Sequence, residues 1–363
     1  MRLGVAAAVV GDTLVRGDVE VVDGLVVRYG LGRQNGSGTA VPGFVDLQVN
    51  GFAGVDFLRA DADGFRRAGE ALLETGVTSY LPTLVTAPEE AMLGALAEIP
   101  AGADGPRVLG AHVEGPFLAP GRLGVHPPEA RRDPDPALLE RILAAGPVRL
   151  MTLAPELPGA GELIDVLVSR GVAVSLGHTD ASAEQAHAAF DRGARSVTHL
   201  FNAMRPFSHR DPGVVGAALA RSDVTVQVIL DGFHLAAETA AFVWRAAAGR
   251  TALVTDAVAG AGVGDGSYTL GAVEIEVAVG AARGPDGELA GSVLTMIEAV
   301  RNLVRLGAPL SEAVHAATAV PAGLLGEQAI GRLDAGLPAD VVVLDDNLEI
   351  EKVFVGGRAL VVV

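Results

Sequence analysis

The chain contains no cysteine among its 363 residues. A disulfide framework is therefore excluded, and any metal ion would have to be held by histidines and carboxylates. Long hydrophobic runs are also missing, because charged residues interrupt every apolar stretch well short of a membrane span. We therefore expect no transmembrane segment.

Positive charge is scarce, with 27 Lys and Arg against 44 Asp and Glu and a formal net charge of -17. Such a balance repels nucleic acid and anionic membrane surfaces, so we expect neither as a partner. The N-terminal segment "MRLGVAAAVVGDTLVRGD" runs into alternating sequence without a small-residue cleavage site. We therefore expect no signal peptide and a cytoplasmic location.

The two ends of the chain share a β-like texture. Residues 1–42 include the alternating, Gly- and Asp-punctuated stretch "LVRGDVEVVDGLVVRYG", and residues 333–363 end in similar short apolar strands. Both patterns are typical of strands joined by turns. We predict one small β-sandwich domain built from both termini around a second domain over residues 43–332.

The middle of the chain alternates apolar runs with Ala- and Leu-rich amphipathic segments. The runs start about 25–40 residues apart, which is the size of one βα unit. Eight runs are found, at 43–49, 77–84, 108–113, 148–153, 172–176, 196–199, 224–230 and 251–255. They predict an α/β fold with a TIM-like (β/α)₈ barrel, whose chemistry lies at the C-terminal ends of its strands. An open doubly wound sheet is the alternative, but no GxGxxG follows an early strand.

Polar side chains follow most of these runs. They are Asp46, Gln48 and Asn50, then Glu114, His178, His199, Asp231, His234 and Asp256. Singly, each has an ordinary structural explanation: a strand-end His is more often hydrogen-bonded than metal-bound, and Asp256 could cap a helix. Together, Glu, His, His and Asp at one barrel mouth are a recurrent composition of hydrolytic metal sites. His112 is expected either to support the ligands from behind or to lie in the barrel core.

Six segments carry a family resemblance, in this order: "VPGFVDLQVNG", "HVEGPFL", "SLGHTDA", "THLFNAM", "DGFHL" and "VTDA". With them the chain resembles the N-acetylglucosamine-6-phosphate deacetylases of the amidohydrolase superfamily over essentially its whole length. The resemblance implies a metal-dependent enzyme that hydrolyses the acetamide of an amino-sugar phosphate. It places the metal ligands on Glu114, His178 and His199, and the catalytic acid and base on Asp256.

The resemblance also implies the number of metal ions. Other amidohydrolases carry an HxH pair after the first strand, where this chain has Gln48 and Asn50. Amide side chains are poor ligands for transition metals. We expect one divalent ion per chain, with Zn²⁺ the first choice and Fe²⁺, Co²⁺ or Mn²⁺ as alternatives.

Substrate contacts follow from the same resemblance. They are expected at Val125, His126, Asn202, Ala203, Arg210, Asp231, His234, Leu289, Ala290 and Gly291. His126 is a candidate donor to the acyl oxygen, and Leu289 to Gly291 are expected in a contact loop. Arg210 is the expected phosphate ligand, for its own site or for a neighbouring subunit's site in a homodimer. Its alternative is an exposed arginine paired with Asp211.

The predicted function is therefore deacetylation of N-acetylglucosamine 6-phosphate in amino-sugar metabolism. Three alternatives stay open on sequence. The first two are the same chemistry on another acylated amine, either N-acetylgalactosamine 6-phosphate or an N-acyl amino acid. The third is a barrel that binds a sugar phosphate without catalysis.

Overall fold

A computed structural model describes residues 1–32, 36–100, 102 and 105–362 of the chain. The strands are β1 (Ala7–Val10), β2 (Thr13–Arg16), β3 (Asp18–Val22), β4 (Leu25–Leu31), β5 (Thr39–Pro42), β6 (Phe44–Val49), β7 (Gly51–Phe52), β8 (Val55–Asp56), β9 (Val77–Val85), β10 (Arg107–Val108), β11 (Ala111–Glu114), β12 (Val148–Leu153), β13 (Ala173–Leu176), β14 (Ser196–Val197), β15 (Thr225–Val228), β16 (Thr251–Leu253), β17 (Gly266–Leu270), β18 (Val273–Ala278), β19 (Ala281–Arg283), β20 (Leu289–Ser292), β21 (Val341–Leu344), β22 (Ile350–Val355) and β23 (Arg358–Val362). The helices are α1 (Ala62–Glu74), α2 (Glu89–Ala97), α3 (Pro136–Ala145), α4 (Ala160–Ser169), α5 (Ala183–Asp191), α6 (Gly213–Ala220), α7 (Ala237–Ala246), α8 (Met296–Arg305), α9 (Leu310–Ala316) and α10 (Ala319–Leu324).

Eight parallel strands form a barrel in the order β6-β9-β11-β12-β13-β14-β15-β16, with the short β10 also paired to β9. The first and last strands meet, because Asp256 N donates to Gln48 O at 2.9 Å and Asn50 N donates to Ala257 O at 2.8 Å. An open doubly wound sheet would leave these groups apart. The predicted (β/α)₈ barrel is therefore confirmed.

The helices that cover the barrel follow their sequence signals. Ser182 and Gln185 form a capping box at the start of α5, and the Asp135 side chain accepts from two backbone N–H groups at the start of α3. In α8 the buried positions are Met296, Ile297, Ala299, Val300 and Leu303, the spacing of one helical face. Within the described residues, no helix is long and apolar enough to cross a membrane.

The eighth βα unit differs from the prediction. Between β16 and α8 the chain forms a four-stranded antiparallel sheet in the order β17-β18-β19-β20. This inserted sheet has its own apolar cluster, which includes Leu270, Ile275, Val277, Ala282 and Ala290. The segment Leu289 to Gly291 is consequently part of strand β20 and not of a loop, whereas the substrate contact predicted there stays a prediction.

Both termini contribute to one further sheet, ordered β2-β1-β5-β21-β22-β23, and to the hairpin β3-β4. A separate apolar cluster joins the two, with members such as Val19 and Val26 from the hairpin and Val341 and Val343 from the sheet. We propose that residues 1–42 and 333–363 form a small domain, as the sequence predicts. Residues 33–35 and 363 of that range, and residues 101, 103 and 104 of the barrel range, lie outside the described residues.

A buried aspartate ties the first residues of the chain to the hairpin. Asp18 is 1% exposed, and its Oδ1 accepts from the backbone N–H groups of Gly4 at 2.9 Å, Val5 at 3.1 Å and Val19 at 2.8 Å. A buried carboxylate can remain in this position only because these donors compensate its lost hydration.

We predict that Asp18→Ala lowers the free energy of unfolding by about 1–3 kcal/mol, since it leaves buried donors unsatisfied. Asp18→Asn should lose less, because its amide oxygen can still accept. The exposed Asp12→Ala is the matched control, and thermal denaturation followed by circular dichroism measures all three. Equal midpoints for Asp18→Ala and Asp12→Ala would contradict the assignment.

Candidate active site

Glu114 is the last residue of β11 and is only 2% exposed. The chain turns directly after it at Gly115, whose φ is +89°. A Cβ at residue 115 would collide with the Thr86 side chain and lie 3.0 Å from Cγ of Leu118. Glycine is required here by both the left-handed backbone and the close packing. The Glu-Gly-Pro sequence thus ends an apolar strand with a buried carboxylate at the barrel mouth.

Two imidazoles converge on that carboxylate. His178 Nε2 and His199 Nε2 each lie 3.1 Å from Glu114 Oε1, and the two nitrogens are 3.2 Å apart. Among the described residues, Glu114, His178 and His199 are the group whose ligand atoms all fall within 4.8 Å of one another. One oxygen and two nitrogens at this spacing could hold a divalent cation.

Burial and hydrogen bonding act in opposite directions on these groups. Burial by itself raises the pKa of Glu114, but hydrogen bonds from His178 and His199 outweigh it and hold that pKa well below its usual value. Burial likewise lowers the pKa of His199, and the adjacent Glu114 carboxylate more than reverses this. The site therefore favours a negative carboxylate surrounded by positive charge, which a cation could supply.

Neighbouring groups orient the candidate ligands. His178 Nδ1 is 2.8 Å from the carbonyl oxygen of Arg122. In the neutral ring that a metal would require, Nδ1 therefore carries the proton and Nε2 offers its lone pair in place of the hydrogen bond to Glu114. Gln48 Nε2 donates to Glu114 Oε1 at 3.2 Å. The amide thus helps to hold the carboxylate in place.

Asp256 lies beside this cluster, three residues after β16, and is 7% exposed. Its Oδ1 accepts from Asn50 Nδ2 at 2.7 Å. Burial, with the nearby Glu114 charge, raises the pKa of Asp256 to about 6. A carboxylate with a pKa near neutrality can both take up and release a proton.

His126 faces the same carboxylate from the loop that follows β11. Its Nδ1 accepts from the Thr86 backbone N–H at 3.2 Å, so the proton of the neutral ring is on Nε2, which lies 3.9 Å from Glu114 Oε2. Burial, with the nearby His178, lowers the pKa of His126 to about 3. The ring is therefore a neutral hydrogen-bond donor at Nε2.

The backbone at these strand ends is unusual. His178, His199 and Asp256 have φ values of 49°, 30° and 51°. Left-handed backbone is uncommon for residues other than glycine and concentrates at functional sites. Here each such residue lies two or three positions past its strand, where the chain leaves the barrel.

A cavity of about 380 Å³ opens above these groups. Most of the predicted site residues line it: Glu114, Val125, His126, His178, His199, Asn202, Ala203, His234, Asp256, Leu289 and Gly291. Chain segments more than 170 residues apart, from Glu114 to Gly291, thus meet around one space. The roles assigned to these residues stay predictions.

Three predicted contact residues lie elsewhere. Ala290 packs in the apolar cluster of the inserted sheet. Asp231 is behind the cavity wall, where its Oδ2 is 2.7 Å from His234 Nδ1 and fixes that ring. Arg210 is on an exposed loop outside the cavity lining. Its suggested partner Asp211 is bonded instead to Arg205, at 2.7 Å.

Two further residues lie inside the barrel. The sequence pattern predicted Asp46 at the barrel mouth, but the residue lies within β6, inside the barrel. Its carboxylate accepts a hydrogen bond from Thr255 Oγ1 at 2.6 Å. Burial raises the pKa of Asp46 to about 7. His112 is fully buried and contacts Leu47 O at 3.1 Å and Thr152 Oγ1 at 2.7 Å, which matches the core position expected for it.

The sequence reasoning missed part of the cavity wall. The missed residues are Val85, Gly121, Arg122, Gly124, Leu270 and Glu288. Leu270 and Glu288 belong to the inserted sheet or its turns, whose signal was the alternation in "SYTLGAVEIEV". Period-two alternation with Gly turns indicates a hairpin and not a barrel unit.

Comparison with known proteins places the chain in a family. Residues 39–360 match the model of the amidohydrolase family. The chain is 41% identical to N-acetylglucosamine-6-phosphate deacetylase of Homo sapiens over 90% of this chain and 84% of that protein. It is 38% identical to N-acetylgalactosamine-6-phosphate deacetylase of Escherichia coli O157:H7 over 87% of this chain and 86% of that protein.

Solved structures agree with this assignment. A mutant N-acetyl-D-glucosamine-6-phosphate deacetylase from Mycobacterium smegmatis, in complex with N-acetyl-D-glucosamine-6-phosphate, matches with a TM-score of 0.95 and 38% identity over 99% of both chains. The Thermotoga maritima N-acetylglucosamine-6-phosphate deacetylase matches with a TM-score of 0.93 and 31% identity over 100% of both chains. The chain therefore belongs to the amidohydrolase family of metal-dependent enzymes.

Proposed function

We propose that the chain catalyses metal-dependent hydrolysis of the acetamide of N-acetyl-D-glucosamine 6-phosphate, giving D-glucosamine 6-phosphate and acetate. The observation that carries the proposal is the convergence of Glu114, His178 and His199 beside Asp256 in one cavity. Relatives named for this reaction support it, at about 40% identity over most of the chain. A binding barrel without catalysis would have no need of Asp256 or of three clustered ligand atoms.

A divalent ion fits the residues present. Glu114 Oε1, His178 Nε2 and His199 Nε2 would hold it, and we propose Zn²⁺ because the set is two nitrogens and one oxygen. When bound, the ion supplies Lewis acidity, which makes water more acidic and polarises the acyl oxygen. His178 is oriented for this role by its bond to the Arg122 carbonyl.

Asp256 is the proposed acid and base. As a carboxylate it accepts the proton of the attacking water, and it then delivers that proton to the amide nitrogen. Amide hydrolysis needs this second transfer, because an unprotonated amide nitrogen is a very poor leaving group. The bond from Asn50 Nδ2 keeps one Asp256 oxygen occupied and fixes the orientation of the other.

His126 is the proposed donor to the acyl oxygen. Its Nε2 lies 3.9 Å from Glu114 Oε2 in the cavity lining, while Nδ1 is held by the Thr86 backbone. A neutral, fixed donor can stabilise the negative charge that develops on the acyl oxygen without moving during the reaction.

The phosphate is the proposed partner of further residues in the cavity lining. They are His234, whose ring is held by Asp231, and the Asn202–Ala203 segment. Arg210 is exposed and outside its own cavity, so we propose that it reaches the phosphate in a second copy within a homodimer. The acidic composition is consistent with the cytoplasmic location that we also propose.

The N-acetylgalactosamine epimer is the alternative substrate. One relative at 38% identity is named for it, whereas the other relatives compared carry the glucosamine name. We propose the glucosamine epimer as the preferred substrate.

We predict that purified protein contains one divalent ion per chain, releases acetate from N-acetylglucosamine 6-phosphate, and loses that activity on chelation. Zn²⁺ should restore it, because the ion is an electrophile that side chains cannot replace. Elemental analysis and an acetate assay on both epimers make the measurement. Two ions per chain would contradict the single site, and a higher kcat/KM for the galactosamine epimer would reverse the substrate assignment.

Asp256→Asn should retain the metal and the fold while lowering kcat by about 10²–10⁴-fold, because an amide cannot accept or deliver the proton. In the unaltered enzyme, kcat/KM should fall as the pH drops through about 6, because the Asp256 carboxylate then becomes protonated and cannot accept the proton of water. A bound cation that stabilises the carboxylate shifts this fall to lower pH. His199→Ala is the comparison variant and should lose metal. Full turnover by Asp256→Asn would show that the base is another group.

Arg210→Ala should raise KM for the phosphorylated sugar by about 10–100-fold, the loss of one charge-assisted hydrogen bond. The unphosphorylated sugar should be affected little. Arg205→Ala is the matched control, since it removes a nearby arginine already bonded to Asp211. Equal effects on both substrates would show that Arg210 is structural.

A further inference from the structure

One acidic side chain in the cavity wall has no part in the proposed chemistry. Glu288 precedes β20 and lines the cavity together with Val125 and Leu289. Its Oε2 is shielded from solvent and has no hydrogen-bond partner within the part of the chain that the structure describes. The carboxylate is half-buried in the cavity wall, and the protein leaves its acceptor capacity unused, so it is suited to a donor that a bound ligand brings.

The fold holds this carboxylate in place. In the turn between β19 and β20, Gly284 N donates to Glu288 O at 2.9 Å. A Cβ at residue 284 would lie 2.8 Å from Cδ of Glu288 and 2.8 Å from Cγ1 of Val125. Gly284 therefore leaves the space that the carboxylate fills, next to the loop that carries His126.

The chemistry of the carboxylate limits what it can bind. A carboxylate repels phosphate, so Glu288 does not serve the phosphate end of the substrate. It is an acceptor only, and the donors that an amino-sugar phosphate offers besides its amide are ring hydroxyls. Within the part of the chain that the structure describes, no side chain donates a hydrogen bond to Glu288 Oε2, so a ring hydroxyl meets no intramolecular competitor for that oxygen.

We propose that Glu288 accepts hydrogen bonds from ring hydroxyls of the amino-sugar and is a specificity-determining residue of this site. The inference rests on the proposed function, since it assumes a sugar phosphate in the cavity. It adds a recognition element from the inserted sheet to the residues at the barrel-strand ends that carry the proposed reaction.

The test compares kcat/KM of Glu288→Ala and Glu288→Gln on N-acetylglucosamine 6-phosphate and on its 3-deoxy and 4-deoxy analogues. Glu288→Ala should lower kcat/KM for the parent by about 10–100-fold, the range of a hydrogen bond to a charged group. It should have little effect on the analogue that lacks the bound hydroxyl. Glu288→Gln should fall between, because it keeps one acceptor oxygen.

Two further variants test whether an effect on kcat/KM comes from sugar binding by Glu288 or from a general change in charge or folding. Asp286→Asn removes an exposed acidic charge from the same turn and should behave as the unaltered enzyme. Gly284→Ala displaces the Glu288 carboxylate without removing it, and its effect should disappear in the Glu288→Ala background. Turnover of the deoxy analogue shows that each variant is folded.

Binding is measured separately by calorimetry in the Asp256→Asn background, where the sugar phosphate is not consumed. Glu288→Ala should weaken the Kd there by the same factor. Equal losses on all three sugars, or no loss, would overturn the role of Glu288 while leaving the deacetylase proposal intact. If the unaltered protein neither binds nor hydrolyses any of these sugars, the proposed function fails, and the inference about Glu288 with it.

Discussion

The buried carboxylate of Glu114 is the constraint on which the site depends. A charge that is 2% exposed at a barrel mouth is stable only if its lost hydration is replaced. His178, His199 and the Gln48 amide all direct a polar atom to the same oxygen. Each lies on, or just past the end of, a different barrel strand, so the environment of this one carboxylate depends on closure of the barrel.

Much of this arrangement could be predicted from the sequence, because consecutive strands of a parallel barrel are neighbours around one closed ring. All strands end on one face, so residues just past apolar runs must meet there. Glu114, His178, His199 and Asp256 follow this rule. Asp46 does not, because β6 continues to Val49 and carries it inside the barrel. The sequence pattern thus predicts well which residues lie near the C-terminal ends of the strands. It predicts less well whether a given side chain is at the mouth or further inside the barrel.

The rest of the wall could not be predicted in this way. Arg122 lies on a loop, and Glu288 lies in a turn of the inserted sheet. The orientation of both elements relative to the barrel depends on packing contacts with residues that are distant in sequence. Their local sequence carries turn signals but no information about what the turn faces. The same reason explains Arg210, which follows a site strand in sequence and yet lies on an exposed loop.

The two amides after the first strand bear on how many cations the site can hold. Gln48 Nε2 donates to Glu114 Oε1 at 3.2 Å, and Asn50 Nδ2 donates to Asp256 Oδ1 at 2.7 Å. Each amide therefore presents hydrogens to a carboxylate oxygen that a second cation would otherwise use. An N–H donor carries partial positive charge and repels a cation, whereas an imidazole lone pair at the same position would attract one. The two amide bonds thus support the proposal of a single ion, and the bond from Asn50 fixes the orientation of the Asp256 carboxylate, to which we assign the proton transfer.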